Sequence, residues 1–87
     1  MELYIICIEN KASVSVISTD KVNIINQIEL GGKRVYELAT GVRVDKGIVT
    51  NLVIPCILSR WIELGESKVY YTDNIEEYNK ELNLMWG

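Results

Sequence analysis

Lys33 and Arg34 come directly after Gly31-Gly32 in the stretch IELGGKRVYEL, residues 28–38, and a glycine pair ahead of cations is one way for a chain to hold a phosphate. In such loops the backbone amides cradle the oxyanion and a lysine adds its charge. The spacing here fits neither familiar device. A dinucleotide fingerprint needs GxGxxG opening a helix, and a P-loop needs GxxxxGK[ST]. GGK instead runs on into RVYELAT, whose β-branched and aromatic residues suit a strand. The glycines therefore read as a corner in the backbone. Any phosphate or nucleic-acid binding would fall to the side chains of Lys33 and Arg34, joined by Arg43 and Lys46 further along, with Tyr36 set among them as aromatics are on nucleic-acid surfaces. The formal net charge is −3 and the isoelectric point near 4.9, far from the basic footprint of a nucleic-acid-binding domain. Nucleic-acid binding is thus expected to be weak. The bland account of the same cations is that they solvate hairpin tips and guard strand edges.

The remaining side chains offer less chemistry. The chain has no histidine, so serine and threonine lack a visible base and a cysteine lacks its usual one. Cys7 lies in an apolar run and Cys56 beside Pro55, with no CxxC pair, which reads as two reduced, partly buried thiols rather than a zinc site. Only Arg60, one helical turn beyond Cys56, is placed to activate that thiol. Asp45 suits a turn and Asp73 a helix cap. No catalytic residue, metal ligand or cofactor is assigned, and the expectation leans away from an enzyme.

These residues must be positioned by a thin core, because a chain of 87 residues buries little more than ~60% of its unfolded surface. It reads as a single domain over residues 1–87, without repeats or linkers. LYIICIE is a buried-strand candidate and ASVSVIS alternates, with Asn10-Lys11 between them as a turn. TDKVNIINQIEL fits a helix through Val22, Ile25 and Ile28, or a strand through Val22, Ile24, Ile28 and Leu30. Folding about Gly31-Gly32 favours the strand, since it sets Leu30 opposite Lys33, Glu29 opposite Arg34 and Ile28 opposite Val35. VRV-DKG-IVTNLVI reads as a further hairpin. Ile54, Ile57, Leu58, Trp61 and Ile62 then recur at helical spacing, with Gly65 as the stop, followed by a short strand KVYYT at 68–72. A last helix opens at Asp73 or Asn74, with Ile75, Tyr78, Leu82 and Met85 or Trp86 in one stripe.

The expected fold is α+β: an antiparallel β-meander of about five or six strands over residues 2–54, followed by helix, short strand and helix packed on one face. The leading functional expectation is a small non-enzymatic interaction or regulatory protein, an inhibitor of a larger partner being one form, acting through a sheet edge or a helix face. The alternatives are a small nucleic-acid- or nucleotide-binding protein using the central cations, and a small enzyme of unknown reaction. Strands apolar on both sides, such as LYIICI and NLVI, call for more cover than two helices give, so a homodimer and a protein partner are expected. No uncharged run approaches the ~18 residues that span a bilayer, and the N-terminus lacks signal-peptide features, which together point to a cytoplasmic protein with no membrane contact.

Overall fold

Period-two alternation of β-branched residues carries most of the chain into strands. A computed structural model describes residues 1–11, 14–44 and 47–86. In chain order these form β1 (Glu2–Lys11), β2 (Val14–Leu30), β3 (Lys33–Val44), β4 (Gly47–Pro55), β5 (Arg60–Leu64), β6 (Ser67–Thr72) and α1 (Ile75–Trp86). The strands make one six-stranded antiparallel sheet in the order β4-β3-β2-β1-β6-β5. Among the described residues, no helix is long and apolar enough to cross a membrane.

The glycine corner is a two-residue hairpin turn. Gly31 and Gly32 have φ of 58° and 79°, the paired positive values of a type I′ turn, and Leu30, Glu29 and Ile28 pair with Lys33, Arg34 and Val35 as expected. Val14 to Ser18 of ASVSVIS and the whole of TDKVNIINQIEL are not separate strands but parts of the 17-residue β2. Its mixed pattern has a structural cause: the register steps from Ile24↔Leu38 to Asn26↔Glu37, leaving Ile25 as a bulge that is 48% exposed. Asn10 and Lys11, expected as a turn, are instead the last residues of β1, paired with Ser15 and Val14; residues 12 and 13 lie outside the described ones. Of the short loop expected at Asp45-Lys46-Gly47, Asp45 and Lys46 also lie outside them, and Gly47 opens β4 opposite Val44.

The helix expected over residues 54–65 is not formed. Ile54 and Pro55 finish β4, Ser59 adopts φ 60°, and Arg60–Leu64 is the edge strand β5. The apolar positions that mimic a helical stripe are divided by this path. Ile54 and Leu58 join the core, while Trp61 and Ile62 alternate across β5, Ile62 toward the core and Trp61 toward α1. Gly65, at φ 61°, turns a hairpin with Glu66 between Leu64 and Ser67, a task that needs the same left-handed conformation as ending a helix.

The path from β4 to β5 bends the sheet. These strands are its opposite edges, and five gaps in a flat sheet would set them ~24 Å apart at ~4.8 Å each. The Cys56 N–H still donates to the Arg34 carbonyl (3.2 Å), and the Ser59 N–H already donates to the Tyr71 carbonyl (2.9 Å). Three Cα steps join them, at most ~11 Å. The sheet must therefore curl until its edges approach, and the concave face closes over one core of Leu3, Ile5, Cys7, Val22, Leu38, Leu52, Ile54, Val69 and Tyr71. Tyr71 ties the seam: its hydroxyl donates to the Pro55 carbonyl (3.1 Å).

On the other face α1 covers β1 and β6, where Ile6 and Tyr70 are buried and the Tyr4 and Tyr78 rings lie 5.2 Å apart. Asn74 caps the helix, its side-chain oxygen accepting from the N–H groups of Glu76 (2.8 Å) and Glu77 (3.3 Å). Tyr78, Leu82 and Met85 are half-buried as expected, but Ile75 is exposed. With one helix instead of two, the outer face of β2, β3 and β4 keeps Ile25, Ile28 and Val53 in water.

Candidate functional site

Of the four cations singled out in sequence, the structure brings Lys33 and Arg34 together and sets the Arg43 backbone apart from them. Lys33 and Arg34 open β3, exposed, immediately after the turn. Arg43 pairs with Ile48 near the other end of the same strand, about 30 Å from Arg34 at ~3.3 Å per residue. Lys46 lies outside the described residues.

Lys33 and Arg34 are joined by the end of β4. Because the Arg34 carbonyl accepts the Cys56 N–H, Pro55, Cys56 and Ile57 are held beside the two cations, and the five residues line a cleft of about 400 Å³. No carboxylate among the described residues lines it. Neither cation makes an ion pair among the described residues, although Glu29 sits across the ladder from Arg34. Pro55 and Ile57 were missed as site residues in sequence because they come from the segment read as the start of a helix. The thiol of Cys56 has no helical turn to bring Arg60 over it.

The second feature is the open edge of β4. Cys56 faces β3, so alternation turns the backbone groups of Val53, Asn51, Val49 and Gly47 away from it, and the extra residue of the register shift near Ala39 lies on β3. Proline has no N–H and the Pro55 carbonyl is taken by Tyr71, so the free ladder runs from Gly47 to Val53. The strand GIVTNLVIP carries no charged residue, and Ile48 and Val53 are 68% and 44% exposed. Open edges are ordinarily protected by lysines, inward charges or brevity. The opposite edge, β5, is five residues long and has Arg60 and Glu63.

Two further features lie elsewhere on the sheet. Glu9 is buried (2% exposed) in register with buried Ser67, on the β1 face that also carries Leu3, Ile5 and Cys7; its period-two position in LYIICIE was the signal. Ile8, Trp61, Ile62, Glu63, Lys68 and Met85 line an apolar groove of about 370 Å³ by the C-terminal half of α1, where the Trp61 indole N–H donates to Glu81 (3.4 Å). No group of three or more cysteine, aspartate or glutamate side chains that could hold a metal collects among the described residues. In comparisons with protein-family models, curated proteins and solved structures, the chain matches none.

Proposed function

We propose that this chain is a non-enzymatic interaction protein that self-associates through the open edge of β4. The observation that carries the reading is an exposed edge strand of nine residues with no charge. Pairing that edge satisfies a row of backbone groups and covers Ile48 and Val53. A second copy fits it well. No like charges meet when β4 pairs with itself, and full overlap of the free ladder Gly47 to Val53 puts Thr50 on the two-fold axis, where a Thr–Thr cross-strand pair contributes ~0.2–1 kcal/mol. A larger regulatory partner would engage the same edge by adding a strand of its own.

Sedimentation velocity at micromolar concentration tests this. The expected result is a dimer that Val53→Lys converts to monomer with an unchanged far-UV circular dichroism spectrum. A wild-type chain sedimenting at its monomer mass of 9.9 kDa would refute self-association, and a dimer that survives Val53→Lys would place the interface elsewhere.

A further inference from the structure

The cleft at the β2/β3 tip is separate from the free edge of β4 and has its own chemistry. Its volume of about 400 Å³ falls within the ~300–1,000 Å³ of small-ligand sites. Charge narrows the class of occupant. Among the described residues, two cations without ion-pair partners, and no lining carboxylate, stand in a chain whose net charge is −3.

Position narrows it further. Lys33 and Arg34 are fixed at the root of a type I′ turn, and the Arg34 carbonyl is bonded to Cys56, so the cationic wall and the opposite wall belong to one ladder. That opposite wall is apolar: Ile57 is 62% exposed at the mouth and Pro55 is half-buried beside it. An exposed isoleucine lining the same cleft as two cations that make no ion pair among the described residues suits a ligand with an anionic end and an apolar body.

We infer that this cleft binds a small organic phosphate, with the phosphate between Lys33 and Arg34 and the organic moiety against Pro55 and Ile57. A phosphomonoester carries about −1.5 to −2 charges near neutral pH, which matches two cations better than a carboxylate does. The Arg34 guanidinium presents a fork for two phosphate oxygens, while the Lys33 ammonium acts as a point charge. Binding involves no bond making or breaking.

The test uses the ¹⁵N-labelled full chain titrated with adenosine 5′-monophosphate, inorganic phosphate and uncharged adenosine. Saturable amide shifts centred on Gly31, Gly32, Lys33, Arg34, Cys56 and Ile57 are expected with the nucleotide, weaker ones with inorganic phosphate and none with adenosine. The Lys33→Glu/Arg34→Glu variant is expected to lose roughly tenfold or more in affinity, the worth of a charge-assisted hydrogen bond. Ile57→Ser is expected to weaken the nucleotide but not inorganic phosphate. The inference is overturned if the nucleotide gives no saturable shifts, if adenosine gives the same ones, or if the shifts lie away from the tip. Inorganic phosphate binding as tightly as the nucleotide would overturn the role of the apolar wall. Because the shift map and the adenosine control use the wild-type chain, the outcome stands even if a charge-reversed variant fails to fold.

Discussion

Changing Tyr71 to Phe removes one oxygen atom from the seam of the curled sheet and leaves the ring in place. Tyr71 is fully buried in the core, and its hydroxyl donates to the carbonyl of Pro55, the last residue of β4. The two strands are not neighbours: β6 lies next to one edge of the sheet and β4 forms the other. No cavity is created, so the cost comes from the lost bond and from the carbonyl left behind. A typical intramolecular hydrogen bond contributes a net ~0.5–1.5 kcal/mol, and a stranded buried acceptor costs ~1–3 kcal/mol. Pro55 is half-buried and water reaches part of its surface, which places the expected loss at about 1–2 kcal/mol. For a domain of this size each kcal/mol corresponds to ~4–8 °C in Tm. Urea denaturation followed by tryptophan fluorescence measures it at fixed protein concentration, because self-association would make stability concentration-dependent. The midpoint should fall with the slope unchanged, and Tyr78→Phe, at a ring packed on Tyr4, serves as control. A loss no larger than in that control would mean that the seam is closed by apolar packing alone.

Other perturbations have directions set by geometry. Gly32→Ala should cost ~1–2 kcal/mol in the same denaturation assay although nothing lies within 4 Å of its added carbon, because φ is +79° and the cost is conformational; Gly31→Asn should cost less, asparagine being common in this turn. At Ser59, with φ 60° and a side-chain oxygen 2.7 Å from that of buried Thr72, Ala should be more destabilising than Gly. Alanine loses the hydroxyl bond and keeps the strain, whereas glycine loses the bond and relieves the strain; the reverse order in urea would contradict this. Burial raises the Tyr70 and Tyr71 phenols above their ordinary value of 10.0, and Glu2 raises exposed Lys21 above 10.5. Each folded value lies above the unfolded one, so the linked stability is complete below about pH 10 and is lost as pH rises through the folded values. Absorbance titration of the wild type against Tyr70→Phe and Tyr71→Phe should show these two phenolates forming late and together with unfolding; their ionisation near pH 10 in the folded chain would refute it.

The parts of the fold legible in sequence are those with a local physical signature. Paired positive-φ glycines set the register of β2 on β3, since only one fold-back brings Glu29 to Arg34 and Ile28 to Val35 at once. A cap at Asp73 or Asn74, with Glu76 and Glu77 behind it, located α1, and of the two it is Asn74 that caps the helix. The segment 54–65 was not legible because Ile54, Ile57, Leu58, Trp61 and Ile62 meet two periodicities, and the choice between them is made by long-range partners. Tyr71 accepts from the Ser59 N–H through its carbonyl, and Tyr70 packs its ring 5.4 Å from that of Trp61. Ile25 misled for a related reason: a bulge adds one residue to the period and makes a strand resemble a helix over a short window. Of the candidate site, Lys33 and Arg34 were visible as residue types after a turn, whereas Pro55 and Ile57 reach them only through the β3/β4 ladder. Arg43 seemed a companion in sequence but is removed by the length of an extended strand.

The curl also accounts for where the two candidate surfaces lie. A short crossing between the sheet's outer strands draws the upper end of β4 into the seam, where Tyr71 takes the Pro55 carbonyl and Cys56 holds the β3 root. Below that point β4 has no neighbour on its outer side, and its uncharged sequence leaves the edge open to a partner. Above it, the chain departs toward β5 and leaves Ile57 facing outward beside Lys33 and Arg34. Pro55 divides the two: it can donate no hydrogen bond to an added strand, and its ring lines the cleft. Edge pairing therefore stops at Val53 and leaves the tip accessible, so a dimer formed through β4 should bind phosphate ligands at two separate clefts. Ligand titration of the Val53→Lys monomer checks that independence: affinity equal to that of the dimer is expected, and a change of several-fold would mean that the edge and the tip act together.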